Sequence, residues 1–213
     1  MDKSLKAVIF DFDGTLVDTM GSIWVEYQRV MDIMGLRRIT QREFTHHIGR
    51  AWDEIITTLW PDVDPREFTS HYQVESEEFK PFPGAVKALK ELSKKYVLAI
   101  MTSRGEKTLF PGLKKAGLDT SLFKSICFRG GLKYNKPDPR ALTQACQVLG
   151  VKPHQVVYVG DSIIDARCAL DAGAGFVAVL SGGADPEDFR EMGVEEIIPS
   201  VASLPSALKK RRH

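Results

Sequence analysis

Aspartates cluster at two places in the chain, each directly after a short apolar run. Asp11 and Asp13 lie in DFDGTL after KAVIF, and Asp161 and Asp165 lie in GDSIID after VVYV. Residues i and i+2 of an extended segment point the same way, and residues i and i+4 share one face of a helix, so each pair of carboxylates converges. Four gathered acids repel by about 4 kcal/mol per pair at about 4 Å and an effective dielectric constant of about 20. Oxygen ligands without His or Cys nearby then favour a hard dication, most simply Mg²⁺.

Both acidic segments also have ordinary structural explanations. Asp-x-Asp-Gly is common in turns and caps, where Gly14 permits backbone angles that other residues avoid. Asp161 or Ser162 is a candidate N-cap for the helix predicted over residues 163–172. Capping explains one acid of the second segment and leaves the other without a structural role.

Two further polar segments follow or precede predicted elements. Thr102 and Ser103 come directly after YVLAIM, where hydroxyls and free amide N–H groups at the start of a helix can bind phosphate. An N-cap is the alternative role for Ser103. Lys136 lies in KPDP just before another predicted helix, and Lys133, three residues upstream, competes with it as the cation of the site.

Short apolar strands and amphipathic helices alternate along the chain and position these residues. Fully apolar strands between helices are typical of a parallel sheet covered on both faces, so we predict a doubly wound, Rossmann-like α/β core. Ligand sites in such sheets lie at the carboxyl ends of the strands, where the acidic segments fall. Strands are predicted at 6–10, 96–101, 125–128, 156–159 and 176–180, and helices at 84–95, 106–116, 139–149 and 163–172.

One connection is far longer than a crossover helix requires. About 85 residues separate the first two predicted strands, and residues 18–79 repeat apolar side chains at helical spacing. We expect a helical domain over residues 17–82, inserted into a core formed by residues 1–16 and 83–213.

Composition and charge exclude several classes of protein. The 213 residues are 43% hydrophobic and 27% charged, which is typical of globular chains rather than disordered or fibrous ones. The 29 basic and 28 acidic residues nearly balance. Because four of the basic residues lie in the last five positions, the rest of the chain is mildly acidic, and we expect no nucleic-acid partner. Short apolar runs and three dispersed cysteines predict a cytoplasmic protein without membrane association. The sequence leaves a monomer and a homodimer as alternatives.

The order of these motifs resembles that of the haloacid dehalogenase-like (HAD) phosphohydrolase superfamily. The resemblance covers nearly the whole chain, with DFDGTLVDT at 11–19, the hydroxyl of Thr102, KPDP at 136–139 and GDSIID at 160–165. The segment between the first motif and Thr102 is similar to the α-helical cap of the phosphoglycolate phosphatase/β-phosphoglucomutase-like branch.

The resemblance implies catalytic roles for the first aspartates. Asp11 would be the nucleophile that forms an aspartyl-phosphate, and Asp13 would be the general acid that protonates the leaving alcohol and later activates water. Lys136 would also hold Asp11 in place. The residues expected to contact the phosphate are Gly14, Thr102, Ser103 and Lys136.

The resemblance also implies a Mg²⁺ site. Asp11, the main-chain carbonyl of Asp13, and Asp161 would hold the ion, which shields the nucleophile from the charge of the phosphate. Asp165 would support these ligands through water or Lys136.

The implied function is hydrolysis of a small phosphorylated metabolite, either phosphoglycolate-like or a sugar phosphate. Superfamily dehalogenases lack an acid at the position of Asp13, which argues against that chemistry here. A phosphomutase shares all four motifs and is the nearest enzymatic alternative. A regulatory phosphate-binding module is a further alternative from a different class, although every catalytic acid is present.

Substrate specificity is expected from THHIGR at 45–50, where this branch usually carries a specificity loop. Arg50 would clamp a second anionic group of the substrate with its planar guanidinium. His46 and His47 are either substrate contacts or solvated residues at a helix end.

Overall fold

The chain folds into a parallel α/β core that carries a helical insertion after its first strand. The computed structural model describes residues 5–74 and 77–210. The strands are β1 Ala7–Phe10, β2 Val17–Asp18, β3 Lys80–Pro81, β4 Val97–Gly105, β5 Phe123–Arg129, β6 Val156–Gly160, β7 Gly175–Val179 and β8 Ile197–Ile198. The α-helices are α1 Met20–Met34, α2 Gln41–His47, α3 Trp52–Leu59, α4 Pro65–His71, α5 Ala85–Leu92, α6 Glu106–Lys115, α7 Pro139–Leu149, α8 Ile163–Asp171, α9 Pro186–Glu191 and α10 Leu204–Lys210.

The core sheet has six strands in the order β5-β4-β1-β6-β7-β8, and every neighbouring pair is parallel. β1 is central, with β4 on one side and β6 on the other, and all four of its residues are buried. The connections therefore diverge on the two sides of β1, which opens a crevice at the carboxyl edge of the sheet. This topology confirms the predicted doubly wound α/β core.

Both faces of the sheet are covered, which explains why its strands are apolar throughout. Val8 and Phe10 of β1 pack on the face covered by α5, α6 and α10. Ala7 and Ile9 pack on the opposite face, under α7, α8 and α9. The three cysteines are free and buried, and each belongs to the second of these clusters.

Helices α1 to α4 form an insertion with a hydrophobic cluster of its own. Tyr27 lies at the centre of this cluster, and its ring lies 4.7 Å from that of Phe44, 5.2 Å from Phe68 and 5.4 Å from Trp52, measured between centroids. The apolar stripes recognised in the sequence thus pack mainly against one another rather than against the sheet.

The two chain segments that join the insertion to the core pair with each other. β2 and β3 form a short antiparallel ribbon in which Val17 is opposite Pro81 and Asp18 is opposite Lys80. The predicted domain bounds at 17 and 82 fall at this ribbon, although the sequence pattern did not predict the pairing.

The structure corrects one predicted strand end. β4 continues to Gly105 instead of ending at residue 101, and its register with β5 shifts between Met101 and Gly105. Thr102 and Ser103 therefore lie in the extended end of a strand. Helix α6 begins at Glu106 as predicted, but Gly105 occupies the N-cap position, so the alternative role of Ser103 as an N-cap is wrong. The apolar run ends before the strand does because the last residues of β4 border a cavity rather than the core.

The sequence analysis also missed the elements near the end of the chain. It did not predict α9, β8 or α10, because these elements are short and carry weak periodicity. Within residues 5–74 and 77–210, no helix is both long enough and apolar enough to span a lipid bilayer.

Candidate active site

Asp11 is the first residue after β1 and lies at the centre of the carboxyl edge of the sheet. Its side chain is buried and held at both oxygens: the backbone N–H of Phe12 donates to Oδ1 at 2.7 Å, and Lys136 Nζ donates to Oδ2 at 2.9 Å. The carboxylate therefore has one fixed orientation.

Lys136, rather than Lys133, is the cation of this cluster. Its Nζ donates to Asp165 Oδ1 at 2.6 Å and to the Tyr158 hydroxyl at 3.1 Å, in addition to Asp11. Lys136 is buried, whereas Lys133 is exposed beside the ring of Tyr134. The burial of Lys136 alone would lower its pKa, but the carboxylates of Asp11 and Asp165 outweigh this effect and raise the pKa.

Three residues of the second acidic segment, Asp161, Ser162 and Asp165, make different contacts. Ser162 caps α8, and Asp165 completes the capping box, accepting from the Ser162 hydroxyl at 2.6 Å through Oδ2. Since Asp165 Oδ1 already binds Lys136 and Tyr158, both of its oxygens are engaged. Asp161 is not the cap; its Oδ1 accepts the Thr15 hydroxyl at 2.7 Å.

The donor chemistry of this cluster fits a hard dication. Asp11, Asp161 and Asp165 each offer an oxygen within 4.8 Å of the others, and all three are buried beside a single buried ammonium, that of Lys136. An all-oxygen donor set with excess negative charge suits Mg²⁺. Each Asp165 oxygen accepts two hydrogen bonds, Oδ1 from Lys136 and Tyr158 and Oδ2 from the N–H and hydroxyl of Ser162. Each Asp11 oxygen accepts one, and Asp161 accepts one from Thr15, so Asp11 and Asp161 are the carboxylates best placed to hold a metal.

Two glycines leave room for the Asp161 carboxylate. A Cβ added at Gly14, where φ is +72°, would lie 2.3 Å from Asp161 Oδ2, and one added at Gly182 would lie 1.8 Å from the same atom. Any side chain at either position would therefore displace Asp161 from the cluster. The positive φ confirms the unusual backbone angle expected at Gly14, while its contact with phosphate stays a prediction.

The buried charges perturb the acids in the expected direction. Burial raises the pKa of Asp11 from 3.8 to about 7, and Lys136 only partly opposes this rise. The pKa of Asp161 is raised well above its ordinary value by burial and then by the negative charges of Asp165 and Asp11. Each shift records the cost of uncompensated negative charge in a buried site.

Asp13 belongs to a separate ion network that the sequence analysis missed. Arg104 is almost fully buried, and its Nη2 lies 2.7 Å from Asp13 Oδ1 and 2.8 Å from Glu77 Oε2. The Thr19 hydroxyl also donates to Asp13 Oδ1 at 2.7 Å, and the Tyr72 hydroxyl donates to Glu77 at 2.8 Å. Arg104 thus connects Asp13 to Glu77 in the segment that returns from the insertion, while Thr19 connects Asp13 to the segment that enters it. Arg104 directly follows Thr102 and Ser103 in the sequence, and this position could have identified it as a residue of the site. No sequence feature indicated a role for Glu77.

The insertion contacts the core at the loop around Gly49. Ser103 donates its hydroxyl to the carbonyl of Gly49 at 2.5 Å, and a Cβ at Gly49 would lie 2.6 Å from the Ser162 hydroxyl oxygen. In this structure Ser103 therefore binds the insertion to the core. The neighbouring Thr102 hydroxyl accepts a hydrogen bond from the backbone N–H of Arg104 at 3.1 Å.

A cavity lies between the insertion and the carboxyl edge of the sheet. Asp11 and Asp13 border it from the core, together with Thr102 and Ser103, and Arg50 borders it from the insertion. His46 and His47 form the last turn of α2 and do not border this cavity. The structure thus brings Arg50 to the space above Asp11, where Arg50 also pairs with Glu54 at 2.6 Å.

A doubly wound sheet with paired aspartates after β1, a buried lysine and further aspartates after β6 defines a class of phosphoryl-transfer hydrolase. Residues 8–179 match the haloacid dehalogenase-like hydrolase family, and the chain belongs to that family. It is 30% identical to a phosphoglycolate phosphatase of Agrobacterium fabrum, over 94% of this chain and 91% of the relative. It is also 30% identical to an N-acetylmuramic acid 6-phosphate phosphatase of Pseudomonas aeruginosa, over 86% of this chain and 85% of the relative. A solved structure of a hydrolase from Pseudomonas syringae, 25% identical, superposes with a TM-score of 0.85 over 96% of this chain and 98% of that one. The protein is therefore a HAD-family phosphatase.

Proposed function

We propose that the protein is a Mg²⁺-dependent phosphatase that hydrolyses a small phosphorylated metabolite, phosphoglycolate-like or a sugar phosphate, through an aspartyl-phosphate on Asp11. The observation that carries the proposal is the Asp11 carboxylate, fixed by Lys136 and the Phe12 N–H where it borders a cavity that Asp13 also lines. The names of the relatives support the choice of a phosphorylated metabolite.

In the first half of the reaction, an Asp11 oxygen attacks phosphorus and forms a new P–O bond. The bond between phosphorus and the leaving oxygen breaks, and that oxygen takes a proton from Asp13. The resulting Asp13 carboxylate is stabilised by the guanidinium of Arg104, which contacts both of its oxygens.

In the second half, the Asp13 carboxylate removes a proton from water as the water oxygen attacks phosphorus. The P–O bond to Asp11 breaks, which releases inorganic phosphate and restores the Asp11 carboxylate. Thr102 and Lys136 would bind the phosphoryl oxygens during both halves, as the family resemblance implies.

Mg²⁺ would be held by Asp11, Asp161 and the main-chain carbonyl of Asp13, with Asp165 acting through Lys136. When bound, the ion would supply positive charge that reduces the repulsion between the nucleophile and the phosphate. The excess of buried carboxylates over cations supports this assignment.

We further propose that residues 17–82 act as a cap on a core formed by residues 1–16 and 83–213. The ribbon of β2 and β3 is the narrow connection about which such a cap would move, and the Gly49 loop is one of its contacts with the core, beside the ion pair of Glu77 with Arg104. Closure would exclude bulk water during attack on phosphorus. A cytoplasmic location is consistent with the three buried free thiols.

Phosphate release from p-nitrophenyl phosphate tests this function directly. We expect turnover in Mg²⁺, loss of turnover in EDTA, and loss of turnover in a folded Asp11→Asn variant. Transfer of phosphate back to a sugar phosphate without net release would instead identify a phosphomutase. Binding of phosphate with no turnover of any phosphomonoester would identify a binding module.

A further inference from the structure

The cavity above Asp11 has the size of a single ring and a mainly apolar wall. Its volume is about 170 Å³. An engineered cavity of about 150 Å³ lined by apolar side chains binds benzene, so a space of this size accepts a compact ring or a short branched chain. Asp11 borders this cavity directly, whereas a second cavity of about 590 Å³ at the same edge is bordered by Asp161 and His46. We therefore place the leaving group of a substrate bound at Asp11 in the smaller cavity.

The wall opposite the aspartates comes from the insertion and is mainly apolar, and within residues 5–74 and 77–210 the buried Tyr27 hydroxyl finds no hydrogen-bond partner. The apolar and aromatic side chains that form it are Ile23, Tyr27, Ile48, Trp52, Ile55 and Tyr72. Most hydroxyls of a sugar placed against such a wall would lose their water without gaining partners. An apolar group placed there gains from its removal from water.

Two arginines interrupt the apolar wall from opposite sides. Arg50 belongs to the insertion, and Arg129 ends β5 in the core. The Nε–H of each is buried and finds no hydrogen-bond partner within residues 5–74 and 77–210. Arg50 Nη1 lies 2.6 Å from half-buried Glu54, and Arg129 Nη1 lies 3.5 Å from Asp53, which is largely exposed to solvent. The arginines therefore keep donors available for an acceptor inside the cavity.

We propose that the preferred substrate is a phosphomonoester whose leaving group has a compact, ring-sized apolar body and one acidic group bound by Arg50 and Arg129. This inference rests on the phosphatase function proposed above but departs from the substrates named there. Glycolate would leave most of the apolar space empty, and most hydroxyls of an ordinary sugar would find no partner on its wall. The acid would lie between the insertion and the core and thereby favour the closed arrangement.

Four phosphomonoesters test the apolar ring and the acidic group of the leaving group separately. Benzyl phosphate supplies the ring, 4-(phosphooxymethyl)benzoate adds one carboxylate to the same ring, glucose 6-phosphate supplies a polar ring, and phosphoglycolate supplies an acid without a ring. We expect kcat/KM to be highest for 4-(phosphooxymethyl)benzoate, called the benzoate ester below because its phosphate ester carries a benzoate group. It should fall by about tenfold or more for benzyl phosphate, and by a similar factor again for glucose 6-phosphate and phosphoglycolate.

Arginine variants test whether Arg50 and Arg129 bind the acidic group of the substrate. Arg50→Ala and Arg129→Ala should each lower kcat/KM for the benzoate ester by about ten- to a hundredfold, and that for benzyl phosphate by less than about threefold. Arg66→Ala removes a highly exposed arginine of the insertion that lies outside the cavity, and it should change neither value. Urea midpoints establish that each variant is folded.

The outcomes distinguish this inference from the proposed function. Absence of Mg²⁺-dependent turnover of p-nitrophenyl phosphate would overturn both. Turnover of p-nitrophenyl phosphate with glucose 6-phosphate or phosphoglycolate preferred over the two ring esters would overturn the inference and leave the phosphatase intact. Equal values for the two ring esters in wild-type enzyme would remove the acid-binding role, whether or not the arginine variants fold.

Discussion

Replacement of Asp11 by Asn should abolish turnover and yet stabilise the metal-free protein above neutral pH. Asn keeps the shape of the side chain and removes one of the buried carboxylates that share a single ammonium, that of Lys136. A carboxyl group whose pKa is raised by folding opposes folding once it is ionised. Metal-free wild-type protein therefore loses stability as pH rises from near 4 to near 7, the interval between the ordinary pKa of 3.8 and the folded-state pKa of about 7.

The size of the effect follows from that interval. At about 1.4 kcal/mol for each tenfold change in acidity, a pKa rise from 3.8 to about 7 corresponds to roughly 4 kcal/mol of unfolding free energy. Asp11→Asn should recover up to roughly 4 kcal/mol near pH 8 and roughly 1–2 kcal/mol near pH 5, where folded wild-type Asp11 is protonated.

Urea unfolding in EDTA between about pH 5 and pH 8 measures this difference. Asp62→Asn, at an exposed position in the insertion, is the matched control and should show no such pH-dependent gain. Added Mg²⁺ should stabilise wild type by roughly 2.7 kcal/mol at a concentration of about 100 times its Kd, and should stabilise Asp11→Asn less. Equal stability of wild type and Asp11→Asn at every pH, with equal responses to Mg²⁺, would refute the buried charge excess.

Three further changes test other parts of the site. Asp13→Asn should slow phosphoenzyme formation less for p-nitrophenyl phosphate than for alkyl phosphates, while slowing its breakdown for both; equal losses in every step, measured by rapid quench, would remove the acid–base role. Arg104→Met should lower the unfolding free energy by about 3–5 kcal/mol, because it leaves the carboxylates of Asp13 and Glu77 without their shared cation, and adding Glu77→Gln should restore part of that loss; an unchanged urea midpoint in Arg104→Met would contradict the network. Gly182→Ala should weaken Mg²⁺ binding by about tenfold or more, because its Cβ would lie 1.8 Å from Asp161 Oδ2, and a Mg²⁺ titration of Tm that matches wild type would contradict this role.

The acidic residues were predictable because their positions depend on local sequence. An apolar run followed by Asp11 and Asp13 indicates a strand end by itself, and parallel strands bring Asp161 to the same edge without further information. The sequence did not show whether Lys133 or Lys136 is the cation of the site, because only the tertiary path of the loop determines which ammonium reaches Asp11.

Contacts made by the insertion were less predictable. Glu77 reaches Arg104 only because the chain returns to the core beside β2, and that pairing of β2 with β3 has no local sequence signature. The same holds for Arg129, which borders the cavity because β5 is adjacent to β4 at the edge of the sheet. Side chains that depend on how distant segments pack together are therefore the ones that sequence patterns missed.

The aspartyl-phosphate on Asp11 is the central claim, and chemical trapping tests it most directly. Enzyme turning over p-nitrophenyl phosphate in Mg²⁺ would be quenched in acid, reduced with borohydride, digested and analysed by mass spectrometry. Asp13→Asn should serve beside wild type, since slower hydrolysis would accumulate the intermediate. The proposed mechanism predicts reduction of the phosphorylated carboxyl group to an alcohol at position 11 alone, dependent on substrate and absent in Asp11→Asn. Active enzyme with no reduction at position 11 in either protein, or with reduction at another aspartate, would contradict it.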